Sequence, residues 1–162
     1  MSSVYVERLR KVSREYDAVR QAIDYVIINY QAQSIYNVIP VLTPRDFEHT
    51  SALLEHTYFI RLFAGFEGIL KDHLDTNHPT ARWRGKSRAE VRDKLDINDT
   101  ISLVVRENAV ALAEDERQRL LDIRDYRSSI AHLNRRVPLV IHFRNALSRL
   151  NTFLAKLPDP LR

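Results

Sequence analysis

The chain contains no cysteine. That excludes a disulfide framework, thiolate catalysis and cysteine-ligated zinc or iron–sulfur sites. Glycine is almost as scarce: Gly65, Gly68 and Gly85 are the only three in 162 residues. They can form neither a GxGxxG fingerprint nor a Walker-type loop, which removes dinucleotide and P-loop chemistry. No stretch reaches the roughly 18 apolar residues that cross a bilayer, so no membrane span is expected. The N-terminal MSSVYVERLRK has no apolar core of the kind a secretory signal requires, and a cytoplasmic protein is the simplest expectation. Repeats, low-complexity tracts and interdomain linkers are also missing, so residues 1–162 read as a single domain. Neither sign of charge dominates. Lys and Arg number 25 against 21 Asp and Glu, a net +4 that permits an anionic partner without demanding one.

What is present is helical periodicity. Tyr5, Leu9, Val12, Tyr16, Val19, Ile23, Val26 and Tyr30 alternate steps of three and four, which predicts one long helix over Val4–Tyr30. The Ile-Pro pair before Val41 ends a connector. Thr43-Pro44-Arg45-Asp46 then opens a second helix with a Thr cap, a first-turn proline and an acid, running to about Leu74. Gly65 and Gly68 lie inside it, and close approach of another backbone is the expected compensation for their cost. Residues 77–87 read as a loop, and Ser87-Arg88-Ala89-Glu90 as a capping box opening a short helix. Further helices are expected from Thr100 to Arg106, from Glu114 to Leu133, and from Val140 to a stop at Pro158. The expected architecture is all-α: an up-and-down bundle of four long helices with one or two short extra ones.

Without cysteine, chemistry falls to the six histidines. Glu48-His49-Thr50 recurs as Glu55-His56-Thr57, but neither HExxH nor an i, i+4 histidine pair occurs, so a solvated polar face is expected rather than a metal site. His73, His78 and His142 have no sequence neighbours that suggest ligation or catalysis. The exception is Ile123-Arg124-Asp125-Tyr126-Arg127-Ser128-Ser129-Ile130-Ala131-His132, in which Arg127 and His132 form R-x4-H near the end of the penultimate long helix. With its apolar residue and alanine before the histidine, this segment resembles the HEPN superfamily, whose small helical bundles carry an Arg-x(4–6)-His signature there. RLFAGFEGILKDHL (Arg61–Leu74) resembles that family's earlier Phe-Glu helix, and LNTFLAKLP its last one. The resemblance spans about residues 45 to 158 and is closest to HEPN proteins of bacterial toxin and phage-defence systems.

The resemblance implies a metal-independent endoribonuclease with no cofactor. Such enzymes use the ribose 2′-hydroxyl as nucleophile and leave a 2′,3′-cyclic phosphate. Imidazole suits the proton transfers of that step because its ordinary pKa, about 6.5, lies near working pH, which assigns them to His132. Arg127 offers a permanently charged planar fork for the crowded phosphorane. Glu67, at the Phe-Glu position, would orient Arg127 or share proton transfer. Ser128 stands where the family commonly has Asn, His or Asp. One histidine cannot easily be both acid and base, and a two-fold homodimer that joins two motifs in one cleft supplies the second. Residues five apart lie about 140° apart around a straight helix. Arg127 and His132 therefore converge only if the helix ends before the histidine or if the cleft is shared. A structural reading also exists, with Arg127 paired to Glu67 or Asp125 and His132 a helix-end residue favoured by the dipole.

Between Ala81 and Lys94 the basic residues Arg82, Arg84, Lys86, Arg88, Arg92 and Lys94 face only Glu90 and Asp93, with Trp83 among them. Basic side chains beside an aromatic suit single-stranded RNA through phosphate contacts and base stacking. The same Trp83 equally suits a plug at the bundle end. Arg135 and Arg136 would extend a basic rim beside His132. The expected partners are RNA, a second copy of the chain, and an antitoxin or other defence-system protein. The alternatives are a non-catalytic HEPN-like module that binds RNA, a nucleotide or a protein, and a plain helical interaction protein.

Overall fold

The computed structural model describes residues 4–31, 43–87, 94–132 and 140–159. Five helices carry the fold: α1 (Val4–Gln31), α2 (Pro44–Asn77), α3 (Ile97–Glu107), α4 (Glu114–Ala131) and α5 (Phe143–Leu154). The only sheet among the described residues is a two-stranded hairpin of β1 (Arg82–Trp83) and β2 (Lys86–Ser87). The mostly helical character expected from periodicity is therefore present. The expected short helix opening at Ser87-Arg88-Ala89-Glu90 lies largely outside the described residues, as does the stretch between the expected helix end at Leu133 and Val140.

α2 is the axis of the molecule, about 50 Å long at 1.5 Å per residue, and each of the other four helices packs on it. Its sequence explains this. Phe59, Leu62, Phe63, Phe66, Ile69, Leu70 and Leu74 are all buried, a stripe wide enough to serve several partners. Phe59 meets Tyr126 of α4 edge-on at 4.7 Å between ring centres, and Phe66 meets Phe153 of α5 at 5.8 Å. Tyr16 of α1 stacks on Phe143 at 4.2 Å, where α5 begins. Up to that level the α1 stripe is buried at Tyr5, Leu9 and Tyr16; beyond it Val19 is exposed and Ile23 and Val26 are half-covered.

The helix ends follow local chemistry. Thr43 caps α2 reciprocally: its backbone N–H donates to Asp46 Oδ2 at 2.7 Å, and Asp46 N–H donates back to Thr43 Oγ1 at 3.4 Å. α3 starts three residues earlier than its apolar pattern suggests, because Asp96 is its cap and accepts from Asp99 N–H at 2.8 Å. α3 closes in a Schellman motif, with Val110 N–H donating to Val105 C=O at 3.1 Å and Ala109 N–H to Arg106 C=O at 3.3 Å. Ala109 takes the left-handed position of that motif at φ 48°. The first N–H of α5 donates to Glu55 Oε1 of α2 at 3.0 Å. α5 begins at Phe143 rather than Val140, which is exposed, and ends at Leu154, short of Pro158. The hairpin replaces part of the loop expected over 77–87. Arg84 (φ 49°) and Gly85 (φ 80°) supply the two positive φ values that a tight two-residue turn needs.

The two helical glycines differ from expectation. Among the described residues no backbone of another element comes within 4 Å of a Cβ placed on either one. A Cβ on Gly65 would touch the Leu9 side chain at 3.4 Å, and a Cβ on Gly68 would meet nothing within 4 Å.

Candidate functional site

The residues singled out by the R-x4-H motif divide between two places. Arg127 and Ser128 flank the buried stripe Ile123-Tyr126-Ser129 of α4, and Glu67 lies one turn after buried Phe63 on α2. All three are half-buried shoulders of packed helices, and they line one groove of about 460 Å³ together with Phe63, Asp96, Ile97, Arg124 and Asp125. The groove runs between α2, the start of α3 and α4.

Its charges are arranged unevenly. Glu67 pairs with Lys71 at 2.8 Å, one turn on. Asp125 accepts two bonds from Arg124, at 2.8 and 2.6 Å. Asp96 is occupied with the α3 cap. Arg127 is left over. Among the described residues its Nε, sealed from water, has no hydrogen-bond partner, and the guanidinium forms no ion pair. The structural pairing of Arg127 with Glu67 or Asp125 is thus not made, because closer cations, Lys71 and Arg124, hold those carboxylates. An unpaired desolvated donor costs about 1–3 kcal/mol.

His132 is elsewhere. It is the exposed C-cap of α4, and its N–H still donates to Ser128 C=O at 3.1 Å. That bond keeps helical spacing through residue 132, so the imidazole leaves the axis about 140° around from Arg127. The helix therefore ends too late to swing His132 into the groove, and His132 is not among its lining residues. Within one chain Arg127, Ser128 and Glu67 converge and His132 does not.

The expected RNA-contact residues sit on the hairpin. Arg82, Arg84 and Lys86 are exposed, while Trp83 is half-buried and packs against the core. The Arg84 and Arg106 guanidinium groups each lie 5.8 Å from its ring centre. Arg84 also faces Asp99 at 3.8 Å. Trp83 thus packs against the core and stays partly accessible beside two arginines. Arg135 and Arg136 lie outside the described residues.

Of the Glu-His repeats, His49 is exposed and His56 meets the Tyr126 ring edge-on at 6.5 Å. Among the described residues no three His, Asp or Glu side chains cluster as metal ligands.

A polar cluster escaped the sequence reading. His73 is fully buried, and its ring joins α1, α2 and the end of α3. Asn108 Nδ2 donates to Val104 C=O at 2.8 Å, which turns its Oδ1 to accept from Nε2–H of both His73 and His78, each at 3.0 Å. His73 Nδ1 is then the acceptor for Tyr5 O–H at 2.8 Å and the Asn77 amide at 2.9 Å. Burial pushes His73 below the usual imidazole range. The available signal was positional: Leu70, His73, Leu74 and Asn77 share one face of α2, so His73 falls on the core stripe.

No protein-family model, curated protein or solved structure matches the chain.

Proposed function

We propose that this chain is a HEPN-like helical bundle acting as a metal-independent endoribonuclease on single-stranded RNA, in a toxin–antitoxin or phage-defence setting. One observation carries the reading. Among the described residues Arg127 of the R-x4-H motif has no ion-pair partner in a groove whose carboxylates are engaged, and Glu67 of the Phe-Glu segment lines the same groove. An always-charged fork with no ion-pair partner among the described residues suits a phosphorane oxygen. Glu67, held by Lys71, shapes the groove beside it. His132 supplies proton transfer from a second copy, since its own ring stands outside the groove; the working unit is a two-fold homodimer. The arginines of the hairpin collect the RNA backbone, and the exposed part of Trp83 gives a base a surface to stack on.

In EDTA the protein is expected to cut single-stranded RNA and spare DNA, which lacks the attacking hydroxyl. His132→Ala and Arg127→Ala each lower the rate by about 10²- to 10⁴-fold while circular dichroism stays unchanged. Cleavage that survives His132→Ala, or that chelation abolishes, defeats the reading.

The exposed position of His132 and the serine at Ser128 favour a second reading, a binding module without turnover. It takes over if the wild type retains RNA on a filter, in a manner lost with Arg127→Ala, yet leaves every strand intact.

A further inference from the structure

No described residue of α1 after Tyr16, and none of α2 before Tyr58, is buried. Helices draw most of their stability from a packed apolar face, and this pair leaves one open. Val19, Ala22, Ile23 and Val26 of α1 line a groove of about 290 Å³ with Phe47 and Thr50 of α2. Asp46 is its one charged lining residue, and that carboxylate is engaged with Thr43 at the helix cap. Polar bonds between the two helices lie outside the groove. Arg20 donates to Ser51 and pairs with Asp24 at 3.2 Å, and none of these three lines it.

The uncharged surface continues along α2. From Thr50, steps of three and four reach Leu53, Thr57, Ile60, Ala64 and Gly68, which therefore share one face. Leu53 is 52% exposed, Thr57 and Ala64 are exposed, and Ile60 and Gly68 are half-buried. Charged neighbours at the margins are neutralised within the chain: Arg61 meets Glu15 at 2.7 Å, and Lys71 meets Glu67 at 2.8 Å. Space at Gly68 is empty to 4 Å where a Cβ would stand, so a facing helix can come close there.

We propose that a second copy of the chain packs on this face, two-fold related, so that α1 and α2 of each copy build a four-helix interface. Charge selects the occupant. A face whose named residues include no free cation offers RNA phosphates nothing, and with no free charge of either sign it gives a charged peptide no partner. Its complement is another uncharged face of the same kind, which a two-fold axis supplies from an identical chain. Size agrees. Phe47 to Gly68 is about 32 Å of helix, and with α1 alongside the face is about 20 Å wide. That outline, about 600 Å² before surface relief is counted, approaches the roughly 800 Å² per partner of a stable interface. The inference deepens the homodimer of the proposed function and rests on that reading only in taking the pair as two-fold; no catalytic assignment enters it.

Sedimentation equilibrium of the full chain from about 1 to 200 µM, a span that reveals micromolar dimers, is the test. A monomer–dimer equilibrium is expected. Ala22→Glu and Ala64→Glu, both at exposed positions of the single chain, are each expected to raise the dissociation constant at least about tenfold, because association would bury an unpaired carboxylate. Ser148→Glu, at an exposed position of α5, leaves it unchanged. Unaltered circular dichroism and melting certify the fold of each variant. The proposal fails if the chain stays monomeric at the highest concentration, which assigns the face to another occupant. It fails equally if the dimer is indifferent to both glutamates, which places the contact elsewhere. A dimer that Ala64→Glu dissociates but that cuts no RNA upholds this surface and defeats the ribonuclease reading. A glutamate-indifferent dimer that cuts RNA does the reverse.

Discussion

His73 shows how one buried ring ties stability to pH. The groups facing it are Tyr5 from α1, Asn77 and His78 from its own side, and Asn108 from the end of α3, with the exposed Arg8–Asp72 pair nearby. The three hydrogen-bond partners, Tyr5, Asn77 and Asn108, can all serve a neutral ring, and none of the facing groups is a carboxylate that would stabilise the cation. Its folded pKa lies below the ordinary 6.5, so the unfolded chain binds the proton first. Its contribution to stability is complete above about pH 6.5 and declines as pH falls below that value. Urea midpoints are expected to drop between pH 7 and pH 5, and His73→Phe to flatten that slope while lowering stability overall. Asp46 and Glu116, both held low by hydrogen bonds, add their own loss only further into acid, below the carboxylate range. A slope unchanged by His73→Phe would assign the dependence to other groups. Ala109 offers a second residue-scale test. An alanine at φ 48° carries left-handed strain that glycine does not. Ala109→Gly is expected to raise stability by about 0.5 kcal/mol after the entropic cost of glycine in the unfolded chain is subtracted.

At the scale of elements, α2 poses the clearest question. Gly68 sits in its middle with empty space where a Cβ would stand. Gly68→Ala should therefore stabilise the single chain by about 0.5–1 kcal/mol. Gly68 also follows Glu67 of the groove, on the helix that a two-fold partner is expected to approach. If another backbone packs there in the dimer, the same alanine loosens association. Chemical denaturation and sedimentation of one variant thus separate a spare glycine from an interface glycine. The helices themselves were legible because apolar spacing is a local property: the bounds of α1 and the Thr43–Asp46 cap follow from the residues present. The misjudged bounds have local causes too. Asp96 as a cap lengthens α3 backwards, and the hairpin depends on two positive φ values, one of them at an arginine, which composition does not announce.

At the scale of the whole molecule, acid and base must come from different chains if His132 lies outside its own groove. If the two copies of His132 act as acid and base of one shared cleft, mixing wild type with His132→Ala and allowing subunits to exchange gives activity that follows the square of the wild-type fraction. An equal mixture retains about a quarter of the activity instead of half. A linear response would mean that a single histidine suffices for each groove, whichever chain supplies it. This is also where sequence reasoning had least purchase. Arg127 and His132 could be picked out by spacing, but whether they meet depends on the twist of α4 and on a partner surface, both non-local. That Arg127 pairs with neither Glu67 nor Asp125 was equally hidden, because it depends on Lys71 and Arg124 reaching those carboxylates first. His73 was hidden for the opposite reason: its partners, Tyr5 and Asn108, are 68 and 35 residues away along the chain.

The packing of Trp83 has an optical consequence. It is the sole tryptophan, so red-edge excitation isolates its emission from the seven tyrosines. Its indole Nε1 is sealed from solvent, and two guanidinium groups stand over its ring. Lifting the hairpin from α3 would hydrate the ring and redden the emission, whereas a nucleobase stacking on the exposed part would quench it. The chain therefore carries an intrinsic fluorophore at the place where RNA is expected to arrive, and unlabelled protein can report that encounter in a stopped-flow cell.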